Sequence, residues 1–314
     1  MQRLGLCCLF KREPIRFRTT TAAYIQRLAT KGENPLHYIS EIIFENCLNL
    51  LKAVNFCAEH GIGSFRITSR LFPLYTHPEC GYEIDDLENR VSILKKLRLV
   101  KKLAQEKNIR LTFHPDQFVV LSSPSEDVVK KSIQELEYHG FMSRLVGADV
   151  INLHAGGGYG NKHQALLRFK QNFKSLSHTV QERLTLENDD KVYSPVDILP
   201  LCQELKIPFV YDVHHHRCLK DSLSIEQASE HAIKTWNREP LFHISSPKDR
   251  DSPHLHADFI DPKDMPACWK KIDPLTIEVE AKAKEVAVMQ LRKALVKLGS
   301  NSGGTFNLYP TRES

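Results

Sequence analysis

The sequence predicts a single (β/α)8 barrel, and three observations carry that prediction. Short β-rich runs alternate with longer helical patterns from end to end, there are eight such runs, and 314 residues exceed only modestly the roughly 250 typical of such a barrel. The runs are Arg3–Cys8, Phe65–Thr68, Arg110–His114, Val150–His154, Leu184–Glu187, Phe209–Val213, Leu241–Ser245 and Thr276–Glu280. The helical patterns are Pro35–Glu59, Asp85–Glu106, Ser125–Leu145, His163–Glu182, Pro195–Leu205 and Ala281–Leu298. In the last, Val286, Met289, Leu295 and Leu298 recur near the helical period. Strands that alternate with helices are joined by crossovers and therefore parallel, and eight such units close on themselves. No repeat or low-complexity block interrupts the pattern. One domain over 1–298 is expected, with the Gly- and Ser-rich stretch Ser300–Gly304 marking a flexible tail over 299–314.

Composition excludes several classes. At 41% hydrophobic and 26% charged, the chain has the material for a sizeable core. No apolar stretch approaches the roughly 20 residues needed to span a bilayer, so no membrane partner is expected. The apolar run from Leu4 to Phe10 is short and has no small-residue cleavage site after it, which marks a first strand and not a signal peptide. The eight cysteines form no Cys-x-x-Cys pair and one vicinal pair, Cys7 and Cys8. Reduced thiols in a cytoplasmic protein are the expectation. The net charge of +5 permits a nucleic-acid partner without demanding one.

The fifteen histidines matter through their placement. Predicted strand three ends at His114, strand four at His154 and strand five at Glu187. Strand six carries Asp212 followed by His214, His215 and His216. Strand seven holds His243, the loop after it His254 and His256, and strand eight ends at Glu280. In this fold the C-terminal strand ends converge on one face, where active sites form. Imidazole and carboxylate without thiolate suit Zn²⁺, Mn²⁺ or Fe²⁺. A lone histidine at a strand end is more often a satisfied core or capping residue, and a lone buried acid often pairs with an arginine. Six consecutive strands ending this way favour one shared site. The three acids Glu187, Asp212 and Glu280 would repel each other and a phosphate alike unless cations reversed the sign. Alternate strand residues face opposite ways, so His214 shares the direction of Asp212 only if the strand continues; a turn after Val213 brings in His215 instead.

The ordered motifs resemble the ultraviolet damage endonucleases, relatives of the endonuclease IV group. They run from Arg3-Leu-Gly-Leu-Cys-Cys8 through Phe65-Arg-Ile-Thr-Ser-Arg-Leu-Phe-Pro73, His114-Pro-Asp-Gln-Phe118 and His154-Ala-Gly-Gly-Gly-Tyr-Gly-Asn-Lys162. Leu186-Glu-Asn-Asp-Asp-Lys191, Asp212-Val-His-His-His216, His243-Ile-Ser-Ser246, His256-Ala-Asp258 and Glu280-Ala-Lys282 complete the set. The resemblance implies a monomeric nuclease acting on double-stranded DNA that carries a damaged base. Hydrolysis falls immediately 5′ to cyclobutane pyrimidine dimers or 6-4 photoproducts, with abasic sites also accepted. It implies up to three divalent ions, manganese foremost, with zinc or magnesium as alternatives. Glu187 would bridge, with His114 and His154 on one ion; Asp212, His243 and Glu280 would complete a second; His215 and His256 would serve a third. Glu187, Asp212 and Glu280 are the catalytic carboxylates of this scheme. Two positions depart from the family: Leu241 replaces a lysine that helps bind metal, with His254 as an available substitute, and Leu6 replaces a first-strand tyrosine.

For DNA contact the resemblance implies Gln117 and Phe118 as a wedge, the ring replacing lost stacking and the amide meeting an orphaned base. From the residues alone, Phe118 could equally begin a packed apolar run, Phe118–Leu121. Arg70, Tyr159 and Lys162 join the expected contacts, within a wider set of basic loop residues (Lys11, Arg12, Arg16, Lys191, Arg217, Lys248, Arg250) suited to phosphates. Gly156-Gly-Gly158 and Gly160 have the wrong spacing for a dinucleotide cradle and suit a turn of close backbone approach. A metal-dependent sugar isomerase or epimerase on the same barrel, and a damage-binding protein without chemistry, are the competing readings.

Overall fold

The structure, a computed structural model, describes residues 1–301 and 306–311. Eight parallel strands close a barrel in sequence order: β1 Gln2–Cys7, β2 Ser64–Ile67, β3 Arg110–Phe113, β4 Val150–His154, β5 Leu184–Glu187, β6 Phe209–Asp212, β7 Leu241–Ile244 and β8 Leu275–Val279. The seam pairs β1 with β8 in parallel from Gln2↔Leu275 to Leu6↔Val279. Outward-facing Leu6, Phe65, Phe113, Phe209 and Phe242 are buried beneath the helices, so both faces of each strand leave water, as an all-parallel sheet requires. Leu6 is thus core, which removes any lesion contact from that position.

The helices are α1 Ala22–Thr30, α2 Pro35–Glu59, α3 Arg90–Lys107, α4 Glu126–Val146, α5 Lys162–Phe173, α6 His178–Gln181, α7 Pro195–Leu205, α8 Val213–Cys218, α9 Ile225–Ile233 and α10 Glu285–Asn301. Their starts follow local chemistry. Asn34 caps α2 by accepting from the N–H groups of Leu36 and His37, with Pro35 in the first turn, and Ser125 caps α4 through Val128 N–H. The helix expected over His163–Glu182 is two, α5 and α6, because the chain leaves helical bonding after Phe173 and Ser177 caps a new start. The expected start at Asp85 is a separate 3-10 turn, Ile84–Asp86, ahead of α3. Lys284 takes φ +52° and delays α10 past the expected Ala281.

The expected free tail over 299–314 needs correction for 306–311. Gln2 N–H donates to the Asn307 carbonyl at 2.6 Å, and Tyr309 N–H returns to the Gln2 carbonyl at 2.7 Å. Phe306 and Tyr309 are buried, so this segment lies along β1 as an extra edge. Its apolar residues and open backbone groups gain more from packing there than from solvent. The rest of the expected tail beyond Asn301 lies outside the described residues.

Inside the barrel the side chains form layers. Leu241 packs with Val150 and Val210 near the N-terminal end of the strands. Above this apolar layer sit Arg66, Thr112, Asn152, Thr185, His243 and Glu278, all buried. The C-terminal rim follows above them.

Candidate metal centre

Period-two alternation explains how the rim is populated. On β4, Asn152 and His154 share the inward face; on β5, Thr185 and Glu187; on β8 and just beyond it, Glu278 and Glu280. Asp212 ends β6 and caps α8, its Oδ1 accepting from His215 N–H at 2.8 Å. That tight turn carries His215 into the site. It turns His214 toward His256 and Cys218, and His216 onto the Tyr211 hydroxyl at 2.7 Å.

Three overlapping sets of ligand-type side chains result: His114, His154 and Glu187; Glu187, Asp212 and His215; and Asp212, His243 and Glu280. Within each set one potential ligand atom per residue lies within 4.8 Å of the others. Seven of the eight expected ligands therefore meet. The eighth, His256, stands at the margin, with Nδ1 3.7 Å from Glu280 Oε2 and its ring 6.3 Å from that of His215. His254 does not enter; it is half exposed and pairs with Asp190 at 3.0 Å. Leu241 lies two residues below His243 in the apolar layer, where its side chain offers no ligand atom.

Glu187 is the hub. His114 Nε2 is 3.1 Å from its Oε2, His243 Nδ1 3.0 Å and His215 Nδ1 3.3 Å from its Oε1, and Asn152 donates to Oε2 at 2.5 Å. Burial by itself would raise this carboxyl's pKa, but the imidazoles of His243, His154, His114 and His215 outweigh it and hold the acid well below its usual range. Burial pulls His243 down, yet Glu187 and Glu278 overcome it and lift the imidazole to about 10. For His215 too, burial opposes and the carboxylates Asp212 and Glu187 prevail, raising it well above the ordinary value. Burial dominates at His154 and lowers it.

The donor set fits a divalent cation on its own geometry. Glu187 Oε1, Asp212 Oδ2, His154 Nδ1 and His243 Nδ1 are buried and make no hydrogen bond of good geometry, Glu187 Oε1 and His243 Nδ1 being in ion-pair contact at 3.0 Å, though buried polar atoms are normally satisfied. His215 Nδ1 approaches the Asn188 carbonyl at 2.9 Å, which leaves Nε2 free to ligate. Neutral imidazoles and carboxylates without thiolate are hard or borderline ligands suited to such ions.

Three participants were missed by the sequence reading. Arg66, inward on β2, reaches Glu278 Oε2 and donates to Glu280 Oε1 at 2.6 Å and lies 3.0 Å from His243 Nε2. Glu278 also approaches His243 Nε2 at 3.2 Å. Asn152 buttresses Glu187. For Asn152 and Glu278 the available signal was the alternation itself, because a charged or amide residue two positions before a ligand, inside a buried strand, must face the same interior; Arg66 precedes no ligand and gave no such signal.

Around the rim, Gln117 and Phe118 occupy a turn closed by Val119 N–H to the Asp116 carbonyl at 2.9 Å. Phe118 is 76% exposed while Val119 and Leu121 are buried, so it is not part of the packed run. Arg70 is exposed and lies 3.6 Å from Asp116. Tyr159 is half exposed and holds φ +46°, an uncommon conformation for a bulky residue, with Arg168 against its ring. Lys162 pairs with Asp197 at 3.0 Å, and Arg217 is tied to Asp264. Gly156 takes φ +92°, and a Cβ there would lie 2.6 Å from Ser122 Oγ, so the turn after β4 needs glycine. A hollow of about 280 Å³ lined by Cys8, Arg66, Arg70, His114, Gln117 and His154 adjoins the ligand sets. A larger one of about 620 Å³, beyond Phe118, contains none of the candidate ligands.

Fold and site together define a (β/α)8 barrel with clustered acids and imidazoles at its C-terminal rim, flanked by exposed aromatic and basic groups. The sequence profile of the UV-endonuclease UvdE family matches residues 2–303. A UV DNA damage endonuclease of Bacillus mycoides (strain KBAB4) is 34% identical over 260 residues, covering 80% of each chain. The crystal structure of SacUVDE superposes with a TM-score of 0.83 at 28% identity, covering 95% of this chain and 99% of that one. A D-psicose 3-epimerase from Clostridium cellulolyticum H10 superposes at 0.57 and 11% identity, over 95% and 98%, and shares the fold alone. The chain belongs to the UV-endonuclease UvdE family.

Proposed function

We propose that this protein is a metal-dependent DNA-repair endonuclease that hydrolyses the phosphodiester immediately 5′ to ultraviolet photoproducts. The single observation that carries the reading is the convergence of seven ligand-type side chains, with unsatisfied buried atoms, in a chain of this family. His114, His154, Glu187, Asp212, His215, His243 and Glu280 would hold the ions, with His256 at the margin; manganese is the first choice and a cluster of up to three the expected number. Bound divalent ions polarise a phosphoryl oxygen and lower the pKa of water, which opens hydrolysis at neutral pH.

The protein's own groups do the rest. Asn152 and the surrounding imidazoles keep Glu187 ionised and oriented. Arg66 offsets Glu278 and Glu280, which reduces the repulsion a phosphate would otherwise meet. Water oxygen bonds to phosphorus, the P–O3′ bond breaks, and the 3′ oxygen leaves with a proton, giving a 3′-hydroxyl and a 5′-phosphate. Exposed Phe118, with Gln117 beside it, is suited to enter a duplex where damage has weakened stacking, so selection needs no sequence readout. Tyr159, Arg70 and Lys162 complete the proposed DNA-contacting rim, Lys162 after release from Asp197. A closed sugar pocket has no use for an exposed ring on such a turn, which is the structural argument against an epimerase.

The deciding experiment compares nicking of irradiated and unirradiated plasmid with Mn²⁺, Zn²⁺, Mg²⁺ or chelator. Lesion-dependent nicks that need an added divalent ion support the reading. Equal treatment of both plasmids, or full activity in chelator, sinks it.

A further inference from the structure

Glu285 opens α10 with its side chain wholly buried, yet no lysine, arginine or histidine pairs with it among the described residues. Three successive backbone N–H groups of the loop after β1 fill its carboxylate instead. Lys11 donates to Oε2 at 2.6 Å, and Arg12 and Glu13 donate to Oε1 at 2.6 and 3.3 Å. A carboxylate taken out of water is tolerable only with such charge-assisted bonds, and the bonds in turn hold the loop in one shape.

Other contacts hold the same loop. Phe10 is buried, stacked on Phe65 at 5.9 Å and edge-on to Phe56 at 5.4 Å. The Arg16 guanidinium donates to the carbonyls of Ile15 at 3.0 Å and Phe10 at 3.4 Å, spending itself on the loop's own backbone. What the loop leaves outward are the side chains of Lys11 and Arg12, both exposed and without an acidic partner among the described residues. Cys8, three residues before Lys11, lines the hollow that also contains His114 and His154, so the loop borders the ligand sets.

We propose that Glu285 is a positioning residue that holds this loop so that Lys11 and Arg12 clamp the phosphate backbone of the DNA substrate. The inference rests on the nuclease reading above. Two cations on a pre-ordered backbone bind a polyanion without the cost of ordering a loop, and they release counterions when they do so.

The test measures equilibrium binding of an irradiated duplex across a salt series, steady-state nicking, and hydrogen exchange at amides 11–13. It uses wild type, K11Q/R12Q, E285Q and the triple variant. K11Q/R12Q is expected to lower the log–log salt slope by about two and raise KM about tenfold with kcat little changed. E285Q is expected to speed exchange at amides 11–13 and raise KM in the same sense, with little further loss in the triple variant. An unchanged slope and KM in K11Q/R12Q overturn the clamp. So does a fully additive E285Q effect, which would mean that Glu285 acts elsewhere. Should E285Q fail to fold, the surface pair K11Q/R12Q still decides. Failure of the nuclease reading looks different, because wild type itself then leaves the irradiated duplex intact.

Discussion

At the N-terminal end of the barrel, Arg3 meets Glu239 at 2.9 Å and Arg110 grips Asp149 with two hydrogen bonds of 3.0 and 2.9 Å. At the C-terminal end, Glu187, Asp212 and Glu280 crowd together with imidazoles, and four buried atoms among them make no hydrogen bond of good geometry. Both ends are rich in charge. The lower one pairs acid with guanidinium and is closed by the returning segment 306–311; the upper one gathers acids against imidazoles and the Arg66 guanidinium and brings ligand atoms within 4.8 Å of each other. The first arrangement holds a barrel together. The second gathers groups that could hold a cation and is placed where barrel enzymes do chemistry.

The contrast can be broken most strongly from above. Glu187→Gln is expected to reduce nicking of irradiated DNA by on the order of 10³-fold, the loss typical of removing one transition-state-stabilising group. Its circular dichroism should stay that of the wild type, and its metal content should fall; normal nicking with normal metal content would refute the hub role of Glu187. Arg110→Ala should do the reverse. It leaves Asp149 with only the Arg238 guanidinium and is expected to cost about 2 kcal/mol in urea unfolding, less than a fully buried pair because Asp149 is 41% exposed. Its kcat per folded molecule should match wild type. A stability loss at Glu187 and an activity loss at Arg110 would erase the distinction.

Smaller effects sharpen the comparison. Phe118→Ala should weaken binding to an irradiated duplex by about tenfold, the worth of one stacked base, with metal content unchanged. Equal affinity for irradiated and unirradiated duplexes in both proteins would remove the wedge. At the lower end, the Tyr309 hydroxyl donates to the Lys107 carbonyl, so Tyr309→Phe should cost about 1 kcal/mol in unfolding and nothing in nicking. A silent substitution there would mean that the returning segment contributes packing alone.

Strand alternation and strand-end residue types were enough, from the sequence, for the eight-stranded parallel barrel and for the residues that could face a metal, because side-chain direction along a strand has a fixed period of two. His114, His154, Glu187 and Glu280 could be placed that way. The helix breaks after Phe173 and before Arg90 could not, since they depend on caps that compete with a continuous apolar pattern. Alternation alone left the choice among His214, His215 and His216 open; a turn after Val213 and the family resemblance pointed to His215, and α8 turns that imidazole inward and the other two away. Arg66 and Glu278 were not singled out at all, although both are charged residues inside buried strands. The contacts of Arg66 with His243, Glu278 and Glu280 span more than 170 residues, and only closure of the barrel brings such groups within hydrogen-bonding distance. Tyr309 belongs to the same class, since nothing local in a short segment after a glycine-rich stretch says which edge will receive it.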